Sequence, residues 1–204
     1  MIICGDFGLV WGGLSSHEDK WWQKWLDKQP WTTLFVDGNH ENFDLLNSYP
    51  VEEWNGGRIH KINESIYHLM RGEIFNLGGY SFFTFGGGFS HDIYRRKEGV
   101  SWWQSELPVQ VEIDNALNNL TKHHNKVDFI ITDDASRELQ DLLGYDRENM
   151  MPYDGQYQNL SKFLQYIQDN VEYREWFLGH YHIDRHISNF HVMYDDVIEL
   201  EGIL

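Results

Sequence analysis

Four short stretches carry residues able to do chemistry together, and each follows an apolar run. Asp6 stands in Gly5-Asp6-Phe7-Gly8 after residues 1–4, and Asn39-His40-Glu41 follows residues 34–36 through Asp37-Gly38. Asp133-Asp134 follows residues 127–132, and Gly179-His180-Tyr181-His182 follows residues 176–178. Carboxylate and amide oxygens together with imidazole nitrogens form a mixed hard and borderline donor set. Such a set suits Mn, Fe, Zn or Ni better than a purely oxygen site does. Two such ions ~4 Å apart polarise phosphoryl oxygens and activate a bridging hydroxide, so phosphoester hydrolysis needs no protein nucleophile.

The elements that must position these groups can be read from the same runs. Each run is β-branched or aromatic, of strand length, and broken by glycine or a polar pair, as expected of buried strands. Ser16 and Asp19 are spaced as a capping pair ahead of a helix over 18–28, with Trp21, Trp22, Trp25 and Leu26 at helical spacing. A short helix over 42–47 stops before Pro50. Alternation of strand, loop and helix predicts parallel pairing with right-handed crossovers, which brings the carboxyl-end loops to one edge. Asp6, Asn39, Asp133, His180 and His182 would meet there.

Between 58 and 85 the period shortens to four β-type runs, with Gly78-Gly79 as a hairpin turn. Phe85 then leads into Gly86-Gly87-Gly88-Phe89-Ser90-His91-Asp92 and the chain's only tight basic cluster, Arg95-Arg96-Lys97. His91, Arg95 and Arg96 are candidate substrate contacts for an anion; the alternative is an exposed loop that balances local acid. Further helices are expected over 108–122, with Val111, Leu117 and Leu120 buried, after Ser136, and over 160–167. Strands are expected over 190–194 and 197–200. Residues 144–155, with Met150 and Met151, read as a loop that could cover the site. Trp21, Trp22, Trp102 and Trp103 read as core and interface residues.

Composition bounds the rest. The 204 residues are 41% hydrophobic and 16% aromatic, enough for one substantial core, so a single domain over 1–204 is expected. Thirty-two acidic residues against 16 basic ones give a net charge of -16, which disfavours long nucleic acid as a partner. A lone Cys4 excludes an internal disulfide framework and fits a cytoplasmic location, and no apolar run has membrane-spanning length.

Gly5-Asp6, Gly38-Asn39-His40-Glu41 and Gly179-His180-Tyr181-His182, in this order, resemble the calcineurin-like metallophosphoesterases, with Gly5 to Gly13 most similar to a bacterial and phage subgroup. The resemblance spans nearly the whole chain. It implies an α/β fold, a four-layer α/β/β/α sandwich with a dinuclear centre, in which metal-bound hydroxide is the nucleophile. By that pattern Asp6 bridges both metals, Asn39 and His180 ligate the second, His182 ligates the first, and His40 protonates the leaving group or holds the phosphate. Two departures stand out. The family's opening strand, with its Asp-x-His ligands, is missing, so the chain reads as N-terminally truncated and the first site as short of ligands. Asp133 stands where the family has histidine, and His91 is a candidate to compensate. A missing strand exposes a sheet edge, hence an expected homo-oligomer. The expected activity is hydrolysis of a phosphomonoester or phosphodiester on a phosphorylated small molecule or phosphoprotein. The alternative is a catalytically impaired scaffold or regulatory binding protein.

Overall fold

A computed structural model describes residues 1–145 and 155–200 of the chain. It is an α/β structure with two mixed sheets. The first sheet has the order β1-β2-β5-β4-β3, formed by Ile2–Cys4, Thr33–Val36, Ile66–Leu69, Gly57–Asn63 and Val51–Trp54 respectively. The second has the order β10-β11-β9-β8-β7-β6, from Arg185–Ile187, Phe190–Val192, Glu175–Leu178, Phe129–Thr132, Tyr80–Phe85 and Glu73–Leu77. In the first, β1, β2 and β5 are parallel and β5, β4 and β3 antiparallel. In the second, β7, β8, β9 and β11 are parallel, flanked by antiparallel β6 and β10. The Gly78-Gly79 turn joins β6 to β7 as expected.

Strand alternation decides where the core sits. Leu34 and Val36 face a cluster with Ile59, Leu69, Phe75, Phe82, Phe129, Ile131 and Phe177, drawn from both sheets. Phe35, between them, points the other way, onto Leu26 of helix α1 (His17–Leu26) and Leu46 of α2 (Phe43–Leu46). Ile130 likewise points outward from β8, into the cluster of α3 (Gln110–Lys122), α4 (Arg137–Leu142) and α5 (Gly155–Asn170). Each sheet is therefore apolar on both faces, which is why β2 and β8 read as continuous hydrophobic runs.

Ser16 caps α1 as its spacing predicts, accepting from Asp19 N at 3.1 Å, while Asp19 Oδ2 accepts from the backbone of Trp11, Gly12 and Gly13. The face of that helix is a correction. Trp21, Trp22 and Trp25 are 57, 44 and 42% exposed and meet edge to face, and only Leu26 of the apolar set is buried. Val111 is also exposed, Ala116 and Leu120 taking the buried positions of α3. Residues 197–200 form no strand: Asp184 Oδ1 and Oδ2 accept from the backbone N–H groups of Tyr194, Asp195 and Asp196, which bends the chain out of extension. β3 and β10 were not expected from sequence. The expected cover over 144–155 falls almost wholly outside the described residues. Strand β1 lies at the edge of its sheet. No helix of the described residues is long and apolar enough to cross a membrane.

Candidate metal centre

Asp6 and Asn39 leave the carboxyl ends of β1 and β2 in the first sheet, and Asp133 and His180 leave those of β8 and β9 in the second. The centre thus forms where the two sheets' loops converge. Asp6, Asp133 and His180 each place one ligand atom within 4.8 Å of the other two. Asn39 joins them through its Oδ1, 3.0 Å from His180 Nδ1, which donates to it. Asp6 and His180 hold left-handed backbone conformations, φ +50 and +67, which non-glycine residues adopt at a cost.

Asp133 is the least ordinary member. It is fully buried, His180 Nδ1 lies 3.4 Å from its Oδ2, and neither carboxylate oxygen has a hydrogen-bond partner. Burial and the neighbouring Asp6 push its carboxyl well above the usual range. The His180 imidazole is opposed by its burial, yet its 3.4 Å contact with Asp133 and the surrounding carboxylates carry it up to about 10. Two glycines make room for this carboxylate. A Cβ at Gly5, whose φ is +99, would collide with Asp133 Oδ1, and one at Gly88 would collide with Oδ2. A space that excludes side chains around two unpartnered anionic oxygens fits a cation, and the donor set is that of a borderline divalent ion.

Neither a family model nor any curated protein matches this chain. The functional reading therefore stands on the geometry.

His182 is exposed, has φ +51, and stacks on Tyr194 at 5.1 Å, outside the cluster of Asp6, Asp133 and His180. His40 adjoins the centre: its backbone N donates to Asp6 Oδ1 at 2.8 Å. Arg96 Nη1 lies 3.0 Å from His40 Nδ1, and Arg96 Nε donates to Asp92 at 2.6 Å. Burial lowers the imidazole pKa, and Arg96 adds to the effect against Asp6. Arg96 Nη2 also lies 3.4 Å from His40 Nε2, and because a guanidinium can only donate, the ring must offer it an unprotonated nitrogen, so the imidazole beside it is neutral. Arg95 is exposed and lies over the Tyr94 ring at 5.2 Å, and His91 is exposed. Of the three suggested substrate contacts, Arg96 alone touches a candidate site residue in the described contacts.

The groups that hold the loops are those the sequence did not assign. Asp37, just before Gly38-Asn39, is buried; its Oδ2 accepts from Arg71 Nη2 at 2.5 Å and its Oδ1 lies 3.0 Å from His68 Nε2. Although burial opposes it, the Arg71 charge keeps this carboxyl far below its usual range. His60 Nδ1 meets His68 Nδ1 at 2.9 Å, and burial lowers His60 to about 4. Asn39 Nδ2 donates to Ser90 Oγ at 3.0 Å, and Ser90 in turn donates from N and Oγ to Glu106 at 2.9 and 2.8 Å. Glu41 Oε1 accepts from Phe7 N and Gly8 N at 3.0 and 3.3 Å, tying the two ligand loops of the first sheet together. Only Glu41 had a signal, its place directly after Asn39-His40; the others depend on contacts 8 to 51 residues apart.

Proposed function

We propose that this chain is a metal-dependent phosphoesterase of the calcineurin-like type, with the four-layer α/β/β/α arrangement that type implies. The observation that carries the reading is Asp133: a buried carboxylate with two unpartnered oxygens, facing Asp6, His180 and Asn39. Asp6, Asn39, Asp133 and His180 would hold the ion. Bound there, divalent metal supplies charge to polarise phosphoryl oxygens and a nucleophile at neutral pH.

The chain's own residues do the rest. His40, neutral, donates a hydrogen bond from its protonated ring nitrogen to a phosphoryl or leaving-group oxygen. Arg96 holds the ring and carries the positive charge an incoming phosphate would meet. Asp92 holds Arg96 in turn. A phosphorylated small molecule or phosphoprotein is the substrate class that suits one local arginine on an otherwise acidic chain.

A second reading is favoured by one observation, that His182 is exposed and stacked on Tyr194. It is a scaffold that holds one ion and serves as a regulatory or binding protein. Metal content of the purified protein, with hydrolysis of an aryl phosphate in added Mn2+, separates the two. The enzyme reading requires at least one metal equivalent and turnover that His40→Ala reduces. Less than one equivalent, with no turnover above the His40→Ala control, rejects it.

A further inference from the structure

A different cluster lies on the far flank of the second sheet, at the amino end of β9, remote from His180. It consists of Glu175, His186 and His191. The register explains why they meet. His191 pairs with Phe177 in the parallel ladder of β11 and β9, and His186 pairs directly with His191 across the β10–β11 hairpin. Strand side chains alternate and paired residues share a face, so Glu175, two residues before Phe177, falls on the same face as both histidines.

The distances follow. Glu175 Oε2 lies 2.9 Å from His191 Nε2, and the His186 and His191 rings stack at 4.3 Å with 12° between planes. One donor atom from each of the three residues lies within 4.8 Å of the other two. His191 is 6% exposed and its ring is fixed by stacking on Phe177 at 4.6 Å. The hairpin is itself pinned: Trp176 N donates to Asn189 O at 2.8 Å, and Asn189 Nδ2 donates to Arg174 O at 3.2 Å. His186 is exposed, so its ring can turn toward its neighbours without repacking the core.

We propose that Glu175, His186 and His191 form a further metal site, for a borderline divalent transition ion such as Zn2+, that clips the β10–β11 hairpin to β9. Metal–ligand bonds of 2.0–2.1 Å in a tetrahedron set neighbouring donors about 3.3 Å apart. The Glu175–His191 pair is already close to that spacing, with a proton where the ion would sit. Two imidazoles and one carboxylate select against Mg2+ and Ca2+ and leave a fourth position for water. The alternative is a hydrogen-bonded pair with a stacked ring and no ion. None of these residues belongs to the Asp133 centre, so this proposal stands or falls separately from the phosphoesterase reading.

Native mass spectrometry of the full chain titrated with Zn2+ distinguishes the two. The proteins compared are wild type, His186→Gln, Glu175→Gln and the surface control His123→Gln, each also in an Asp133→Asn background that lowers binding at the other centre. The site predicts that His186→Gln and Glu175→Gln each lose one zinc equivalent in both backgrounds while His123→Gln loses none. His186 and Glu175 are substituted because the buried His191 risks the fold; circular dichroism checks the variants. Equal zinc content in wild type and His186→Gln overturns the proposal. Loss in His186→Gln with full retention in Glu175→Gln also overturns it, because the carboxylate is then no ligand.

Discussion

Replacing Asp133 by asparagine should stabilise the metal-free protein and reduce the further stabilisation that metal confers. His180 Nδ1 lies 3.4 Å from Asp133 Oδ2, an attraction of about 5 kcal/mol at an effective dielectric of 20. An Asp6 oxygen within 4.8 Å returns about 3.5 kcal/mol of repulsion or more on the same scale. The charge terms nearly cancel, which leaves the desolvation of a fully buried carboxylate, several kcal/mol, as the deciding contribution. It opposes ionisation, in agreement with the raised pKa. The linkage sign follows: folded Asp133 retains a proton that the unfolded chain releases, so wild-type stability falls as pH rises from the ordinary carboxylate range toward the raised value. The slope is up to about 1.4 kcal/mol per pH unit. Asparagine removes that loss, and a gain of about 1–3 kcal/mol at pH 8 is expected, or roughly 2–10 °C in Tm for a chain of this size. The assay is thermal unfolding in EDTA and in saturating Mn2+ at pH 5 and pH 8. In EDTA the variant melts above wild type at pH 8 and the gap narrows at pH 5. With Mn2+ at 100 times Kd wild type gains about 2.7 kcal/mol and the variant, short of a ligand, gains less. A variant that melts below wild type in EDTA and shows an unchanged Mn2+ shift refutes the reasoning.

Other expectations can be checked alongside it. Arg71→Met leaves Asp37 buried without its cation and should cost about 3–5 kcal/mol in urea unfolding, with weaker metal binding because the Asn39 loop loses its anchor. Burial raises Glu106 to about 7 against the hydrogen bonds it accepts from Ser90, so the wild type should lose stability relative to Glu106→Gln as pH rises from about 4.5 to 7, then hold a constant difference. Parallel unfolding curves across that range would contradict it. Arg96→Ala should raise KM for an aryl phosphate more than it lowers kcat, whereas His40→Gln should lower kcat by about 10²-fold or more, as steady-state kinetics in Mn2+ would show.

The strand ends were legible because their signal is local. β7 has the bounds expected of it, and the Ser16 cap is where its spacing puts it. The face of α1 was not legible, since three tryptophans at helical spacing suggest burial, yet its packing onto Phe35 reaches only Leu26. The network around Asp37 could not be read for another reason. Arg71 is 34 residues away and belongs to a loop with no pattern of its own, so the pairing emerges only when β5 lies parallel beside β2 and brings the residues after Leu69 next to those after Val36. His182, two residues from His180, is exposed and stacks on Tyr194, a contact 12 residues along the chain that no local pattern announces.

Buried carboxylates supply the contrast on which the functional reading rests. Asp37 meets Arg71 and His68; Glu106 meets Ser90; Glu73 meets Arg58; Asp19 and Glu41 accept from backbone N–H groups; Asp134 accepts from Ala135 N and Tyr181 Oη. Every one of them has at least one oxygen hydrogen-bonded, and that suffices to hold the fold. Asp133 alone among the described buried carboxylates has neither. A chain that hydrogen-bonds six such groups and leaves the seventh only the 3.4 Å contact with His180 does so beside two residues in left-handed conformations and between two close-packed glycines, Gly5 and Gly88. Each feature costs on the order of 1–3 kcal/mol, and stability alone would not concentrate them at one point. Their coincidence at the meeting of four strand ends is what a cation would repay, and it makes Asp133, more than any histidine, the residue on which the proposed function rests.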